Sequence, residues 1–239
     1  MRLGALLALL VPLVVNQSAV AQQAATDQHK PPTILLVGAS GMIGSRILQE
    51  AVSRGHLVIA ASRHPEKIAT GANIHAVKLD ATDEKALSAE ARHADVIVLA
   101  TSPRGGGDPM AEAKAVSDSA INAARATHKR LFVVGGAGSL NYPDGRKLVD
   151  TLPGPYQAEA RAMRAVLDKL KTTDINWTFF SPAMTIAPGE HTGKYRLGTT
   201  VVLTDAKGDS HISAEDYADA LVNELEKPKH ERAQMTIAY

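Results

Sequence analysis

Three glycines, Gly38, Gly41 and Gly44, form the pattern in this chain with the clearest chemical meaning. They follow a run of four aliphatic residues at 34–37, and apolar residues recur at helical spacing after Gly41. The pattern therefore predicts a buried strand that turns directly into a helix. The bare N–H groups of such a turn and the positive end of the helix dipole can bind a pyrophosphate. The sequence thus predicts a dinucleotide-binding site.

Each glycine has a distinct predicted task. Gly38 permits a tight turn, Gly41 lets the backbone approach the phosphates, and Gly44 lets the helix pack against the strand. The alternative is a turn in which the glycines serve only the fold. The residues of this segment predicted to contact the dinucleotide are Gly38, Ser40, Gly41, Met42, Ile43 and Gly44.

Short apolar segments alternate with amphipathic ones along the chain, which is typical of βαβ units. Strands are predicted at residues 34–37, 57–61, 74–79, 96–100, 131–134, 176–180 and 234–238. Helices are predicted after Gly41 and at residues 83–92, 110–127, 156–170 and 213–226. We therefore predict an α/β fold, a Rossmann-like doubly wound parallel sheet with helices on both faces and a small C-terminal substrate-side region.

The regular alternation ends after Pro182, in the substrate-side region. Residues 195–204 alternate between polar and apolar types and predict a pair of hairpin strands. Ser213 and Asp216 have the spacing of a capping box. We expect the Ser213 hydroxyl to accept a free N–H and the Asp216 carboxylate to reach back to the helix start.

The end of the second strand predicts which dinucleotide binds. NAD-specific sheets place an acidic residue there, which accepts hydrogen bonds from the ribose 2′-hydroxyl. This chain has Ser62 and Arg63 instead, and a hydroxyl and a guanidinium both suit a 2′-phosphate. We therefore predict NADPH as cofactor in preference to NADH, which stays a candidate. The alternative is that Arg63 is an ordinary solvated charge.

Residues after the third and fourth strands would complete the cofactor site, because ligands of such sheets bind beyond the carboxyl ends of the strands. Asp80 is expected either to meet the adenine amino group or to cap the next helix. For Arg104 and residues 105–107 two interpretations stay open, a mobile flap near the phosphates and a plain flexible loop. The residues predicted here as cofactor contacts are Asp80, Ala100, Thr101 and Ser102.

The N-terminal residues have the pattern of a signal peptide. Arg2 precedes an apolar run at residues 3–15, and small residues at 19–21 have the usual spacing for cleavage. The run is shorter than the roughly 20 residues that cross a bilayer, so no stable membrane anchor is expected. Export would make the protein periplasmic or secreted, and an uncleaved N-terminus would leave it cytoplasmic. The predicted organisation is a signal peptide at residues 1–21, a flexible lead-in at 22–32 and one NAD(P)-binding domain at 33–239.

Composition disfavours several classes of function. The chain has 26 basic and 25 acidic side chains and no basic cluster, which argues against a nucleic-acid partner. It has no cysteine, and hence no disulfide or thiol chemistry. The histidines lack metal-ligand spacing, so no metal is predicted, and His191 is expected in an exposed turn. The expected partner is a small-molecule acceptor, and the oligomeric state stays open.

Further motifs carry a family resemblance. They are Val-Gly-Gly-Ala-Gly-Ser-Leu at 134–140, Trp-Thr-Phe-Phe-Ser-Pro-Ala at 177–183, Gly-Lys-Tyr-Arg at 193–196 and the segment at 210–218. With the glycine turn, they make the chain resemble an atypical short-chain dehydrogenase/reductase over about residues 33–239. More narrowly, it resembles the NAD(P)H-binding family of NADH-flavin reductase-like proteins related to biliverdin reductase B. The resemblance implies a reductase fold with NADPH across the strand ends.

The resemblance also suggests residues near the nicotinamide. Ser139 would hydrogen-bond near the nicotinamide or the acceptor, Tyr156 would line the pocket, and the backbone at Pro182 would fix the carboxamide. Each residue also has a purely structural alternative. Ser139 could form a turn, Tyr156 could pack in the core, and Pro182 could end a strand. The wider superfamily pairs its tyrosine with a lysine one helical turn later, which lowers the pKa of the phenol. Here Ala160 stands at that position, so a phenol pKa of about 10 and weak acid–base activity are expected.

Carbonyl reduction by a tyrosine–lysine pair is therefore disfavoured, and so is sugar epimerisation. Hydride transfer to a flavin or a similar conjugated acceptor demands less, because the acceptor can take its proton from water. The protein then needs only to hold two flat rings in contact. We predict an NAD(P)H-dependent oxidoreductase of this kind. The alternative is a catalytically silent NAD(P)-binding sensor or scaffold.

Overall fold

A computed structural model describes residues 31–239. The predicted signal peptide and nearly all of the predicted lead-in lie outside the described residues. Within residues 31–239, no helix is both long enough and apolar enough to cross a bilayer.

Strands and helices alternate along the described chain. The strands are β1 Ile34–Val37, β2 Val58–Ser62, β3 Ile74–Lys78, β4 Val96–Leu99, β5 Arg130–Val134, β6 Trp177–Ser181, β7 Thr185–Ala187, β8 Arg196–Gly198, β9 His211–Ser213 and β10 Ala233–Ala238. The α-helices are α1 Met42–Ser53, α2 Glu84–Ala91, α3 Pro109–Thr127, α4 Gly154–Leu170 and α5 Ala214–Glu226. Short 3₁₀ turns lie at Pro65–Lys67, Ala137–Ser139 and Leu148–Thr151.

The main sheet has the strand order β3-β2-β1-β4-β5-β6-β10-β8. Its neighbouring strands run parallel except β8, which is antiparallel to β10. The chain moves outward from β1 through β2 to β3 and then returns to the other side of β1 at β4. This reversal opens a crevice at the carboxyl ends of β1 and β4, where such sheets bind ligands. The predicted Rossmann-like, doubly wound fold is confirmed.

Alternate residues of the central strands face two separate apolar cores. Ile34 and Leu36 pack on the side of α1 and α5, and Leu35 and Val37 pack on the side of α2, α3 and α4. Because both faces of β1 are covered, all of its residues are buried. This explains why the central strands are continuous apolar runs rather than alternating ones.

The predicted hairpin at 195–204 is wrong. β8 pairs with β10 near the end of the chain, and Val201 forms a bridge to Asn141. Alternation of polar and apolar residues fits any half-exposed strand, so it cannot specify the partner. The structure also contains a small parallel sheet of β7 and β9 that was not predicted.

The capping box at the start of α5 is only half formed. The Ser213 hydroxyl accepts the Asp216 N–H (2.9 Å), as predicted. The buried Asp216 carboxylate instead accepts the N–H groups of Thr192 and Gly193 (both 2.8 Å) and the hydroxyls of Thr192 (2.6 Å) and Tyr239 (2.7 Å). Burial alone would raise the pKa of Asp216, but these hydrogen bonds outweigh burial and hold the pKa below its usual value. The carboxylate therefore fastens the segment before β8 and the chain end to α5.

Candidate functional site

The turn after β1 brings main-chain atoms into direct contact. Gly38 has a φ of +92°, and a Cβ there would lie 2.4 Å from the carbonyl oxygen of Ala100, after β4. A Cβ at Gly44 would lie 2.1 Å from the carbonyl oxygen of Gly38. Both contacts are far shorter than atoms tolerate, so β1, β4 and α1 can approach this closely only with glycine at these positions.

Gly41 has a different environment. It is the N-cap of α1 with extended backbone, and the nearest atom to a Cβ there would be the Gly38 oxygen at 3.3 Å. No side chain caps this end of α1, and the first turn has no acidic residue. The uncapped N–H groups and the absence of a side chain at Gly41 fit a diphosphate at the helix start.

A cavity of about 590 Å³ lies at the carboxyl ends of β1 to β5. Its volume is within the usual range for small-molecule sites. The predicted cofactor contacts that line it are Gly38, Ser40, Gly41, Ser62, Arg63, Asp80, Ala100, Thr101 and Ser102. The predicted contacts that do not line it are Met42, Ile43, Gly44 and Pro182.

Ser62 and Arg63 present a hydroxyl and a guanidinium at the end of β2. The Ser62 hydroxyl is hydrogen-bonded to that of Ser40 (2.7 Å) and accepts the His64 N–H (3.1 Å). Arg63 is exposed at the cavity and forms no ion pair or side-chain hydrogen bond within residues 31–239. Its guanidinium is therefore available to an anionic ligand.

Asp80 lies at the cavity but does not cap α2. Its carboxylate accepts the N–H (2.9 Å) and the hydroxyl (2.8 Å) of Thr82, and these hydrogen bonds, together with the charge of Arg63, lower its pKa. The cap of α2 is Asp83, which accepts the Ala86 N–H (2.9 Å). The capping interpretation of Asp80 is therefore wrong, and contact with adenine stays a prediction.

Neither candidate for acid–base chemistry lines the cavity. The Ser139 hydroxyl is buried, donates to the Gly136 carbonyl (2.6 Å) and is hydrogen-bonded to the Ser181 hydroxyl (2.7 Å). Gln234 donates to both serine hydroxyls, at 3.3 and 2.9 Å. This hydroxyl therefore joins the ends of β5 and β6 to β10.

Tyr156 is 62% exposed, so the prediction that it packs in the core is wrong, and it does not line the cavity described above. The physical reason is its place in α4. The helix begins at Gly154, and its first buried residue is Ala160. Tyr156 thus lies in a first turn that projects beyond the packed part of the helix.

Residues of α3 and α4 supply part of the cavity that the sequence analysis missed. Apart from Glu112, their side chains are small or apolar and resemble ordinary helix-packing positions, so periodicity could not separate cavity from core. They are Ala111, Glu112, Ala113, Val116, Ser117, Met163 and Val166. The loop after β4 also lines the cavity, with Pro103, Gly105 and Gly107, as expected if this loop lies near the phosphates.

The loop after β4 is held by two polar contacts. Arg104 pairs with Glu159 of α4 (Nε to Oε2, 2.8 Å), and the Gly105 N–H donates to Glu112 (2.9 Å). The interpretations as a flap near the phosphates and as a plain flexible loop both stay open. Arg104 itself does not line the cavity.

His191 is half exposed, as expected for a turn, and lies near Glu50 (4.0 Å) and Asp219 (3.5 Å). The ligand atoms of these three residues lie within 4.8 Å of one another, close enough to share a cation. Arg54, however, already pairs with both carboxylates. The protein thus already supplies a cation to both carboxylates of the cluster, and the absence of a metal stays a prediction.

The fold and the glycine turn define a Rossmann-type nucleotide-binding protein. The chain matches the NAD(P)H-binding family over residues 38–228. It is 39% identical to "Uncharacterized protein YwnB" of Bacillus subtilis strain 168 over 210 residues, which cover 84% of this chain and 96% of that protein. The chain therefore belongs to the NAD(P)H-binding family.

Two solved structures are similar over nearly the whole described chain. A "Putative exported protein" from Burkholderia pseudomallei is 42% identical with a TM-score of 0.79, and the match covers 87% of this chain and 100% of that one. A "putative NADH-flavin reductase" from Streptococcus pneumoniae TIGR4 is 32% identical with a TM-score of 0.78, covering 87% and 99%.

The two glycines at the start of α1 should respond differently to a methyl group. We expect Gly44→Ala to lower the free energy of unfolding by about 2 kcal/mol, because its Cβ overlaps main chain. Gly41→Ala should stay within about 1 kcal/mol of wild type but lose NADPH binding, because its methyl occupies the approach to the helix start. Urea denaturation and titration calorimetry measure both effects. Wild-type NADPH affinity in Gly41→Ala would contradict this assignment.

Proposed function

We propose that the protein is an NADPH-dependent oxidoreductase that transfers a hydride to a flavin or a similar conjugated small molecule. Membership of the NAD(P)H-binding family supports the cofactor class. The similarity to the structure from Streptococcus pneumoniae supports a reductase of this kind. The observation that carries the proposal is the cavity at the uncapped start of α1, with Arg63 unpaired at its wall.

The preference for NADPH rests on the chemistry at the end of β2. A guanidinium can form two parallel, charge-assisted hydrogen bonds with a phosphate. Arg63 is free of protein partners among the described residues, and Ser62 adds a hydroxyl beside it. The carboxylate that would select a ribose 2′-hydroxyl is absent from this strand end.

The remaining cavity residues would position the cofactor. The N–H groups at the start of α1 would bind the diphosphate, and Thr101 and Ser102 would border the ribose. Asp80 would accept a hydrogen bond from the adenine amino group. Both hydrogen bonds from Thr82 go to its Oδ1 atom, which leaves Oδ2 for the ligand. NADPH supplies a hydride when bound, and the residues of the chain bind and orient the cofactor.

A conjugated acceptor suits this site because, within residues 31–239, no tyrosine–lysine pair lies at the cavity. Ser139 is engaged in a buried network, Tyr156 is exposed elsewhere, and Ala160 stands where a lysine would be needed. A flavin that takes up the hydride collects its proton from water. Catalysis would then depend on holding the two rings in contact.

The missing tyrosine–lysine pair also favours a second candidate, a dinucleotide-binding sensor or scaffold that binds NADPH without turnover. A site that retains cofactor contacts but lacks a tyrosine–lysine pair is sufficient for that role. Turnover, rather than binding, separates the two candidates.

We also propose that the chain is exported and that residues 1–21 are removed, leaving a lead-in at 22–32 before the domain at 33–239. The sequence pattern and the 42% identity to the Burkholderia pseudomallei protein support this. Mass spectrometry of the protein from its native source should find an N-terminus at Gln22. A native protein that retains residues 3–15 would contradict the proposal.

Arg63→Ala should separate the two nicotinamide cofactors. We expect it to weaken NADPH binding about tenfold or more and to change NADH binding less than twofold, because only NADPH carries the 2′-phosphate. Lys67→Ala is the control, because Lys67 is a nearby exposed cation that does not line the cavity. Equal affinity of the wild-type protein for both cofactors would contradict the preference.

Turnover is tested by following the absorbance of NADPH with FMN, riboflavin and a quinone as acceptors. We expect oxidation with at least one of them and its loss in Gly41→Ala, because acceptor and cofactor must share the cavity. Tight NADPH binding without oxidation would favour the sensor.

A further inference from the structure

The charges on the cavity wall do not match a polyanionic ligand. Its charged lining residues are one guanidinium, that of Arg63, and three carboxylates, those of Asp80, Asp108 and Glu112. A dinucleotide carries negative charge on its diphosphate as well, and like charges in a partly enclosed site repel each other. Under the proposed function, a cation beside the start of α1 would offset this negative charge and add to the attraction of the N–H groups for the diphosphate.

Arg104 is a cation in the loop after β4, between residues that line the cavity. Its neighbours Pro103 and Gly105 both line the cavity. Its partner Glu159 lies one helical turn before Met163, which also lines the cavity. The ion pair therefore joins the loop after β4 to α4 beside the cavity. Because the side chains of Arg104 and Glu159 are 71% and 26% exposed, the pair lies on the solvent side of the buried Met163.

Two glycines, Gly106 and Gly107, allow the loop after β4 to change conformation. Gly106 has a φ of +90°, and a Cβ at Gly106 or Gly107 would meet no atom within 4 Å. Backbone at these positions is therefore neither packed nor restricted by a side chain. The contact between Gly105 and Glu112, which anchors the loop to α3, does not involve the side chain of Arg104.

Of the anionic groups of a bound dinucleotide, the diphosphate would lie closest to this loop. Arg63 lies at β2 and suits the 2′-phosphate, whereas the loop with Arg104 follows β4. The main chain after β4 is the part that contacts the glycine turn, through Ala100 and Gly38. A diphosphate at the start of α1 would thus lie beside the first residues of this loop.

We propose that Arg104 is an anion-binding residue for the cofactor diphosphate and that Glu159 holds it away from the cavity until the cofactor binds. The proposal rests on the proposed function, because the ligand is the same dinucleotide. Glu159 then acts as an intramolecular competitor of the diphosphate. The ion pair must break before Arg104 contacts the phosphates, so removal of the Glu159 charge should tighten cofactor binding.

Three variants test the competition, with NADPH affinity measured by titration calorimetry. Glu159→Gln should tighten NADPH binding about twofold to fivefold, the range expected for release of an exposed ion pair. Arg104→Ala should weaken it about tenfold, the effect expected for a lost charge-assisted phosphate contact. In the Arg104→Ala background, Glu159→Gln should have no further effect. Asp150→Asn is the matched control, because it removes the carboxylate of another exposed arginine pair, with Arg161, outside the cavity.

A second ligand, adenosine 2′-monophosphate, identifies which phosphate is involved. It carries the 2′-phosphate but no diphosphate, so its affinity should be the same in wild type, Glu159→Gln and Arg104→Ala. A change in its affinity would overturn the assignment to the diphosphate. Unchanged NADPH affinity in Glu159→Gln, or a tightening equal to that of Asp150→Asn, would overturn the competition while the proposed function stands. Failure of the wild-type protein to bind NADPH would overturn both.

Discussion

Contact between main-chain atoms at the end of β1 is the constraint on which the site depends. The Ala100 carbonyl lies against Gly38, and the Gly38 carbonyl lies against Gly44, each too close for an intervening Cβ. The end of β1, the loop after β4 and the start of α1 therefore meet without side chains between them. This contact places the uncapped N–H groups of α1 in the crevice where the strand order reverses.

The negative charge on the cavity wall has a local structural origin. Asp80 forms a turn with Thr82, Asp108 caps α3 through the Met110 N–H (3.0 Å), and Glu112 holds the loop after β4. These carboxylates are needed to form the loops and helix start that shape the cavity. Attraction of an anion must therefore come from the start of α1 and from arginines. Of these, Arg63 is free within the described residues, and Arg104 is paired.

The hydroxyl groups that suggested acid–base chemistry are used differently. Ser139, Ser181 and Gln234 form a buried network that ties β5, β6 and β10 together. Tyr156 is on the surface at the start of α4. A site built in this way can bind and orient, but within residues 31–239 no tyrosine–lysine pair lies at the cavity. The chemistry that such a site suits is one in which solvent supplies the proton.

The sequence by itself determined the α/β class, the six central strands, the glycine turn and the polar residues at the strand ends, because each depends on spacing within a few consecutive residues. Only the tertiary structure decided the partner of β8, the carboxylate contacts of Asp216, the exposure of Tyr156 and the pairing of Arg104 with Glu159. These features depend on contacts between segments far apart in the chain, which local periodicity does not encode. A side chain's type shows what it can bind, and the packing of distant elements decides what it meets.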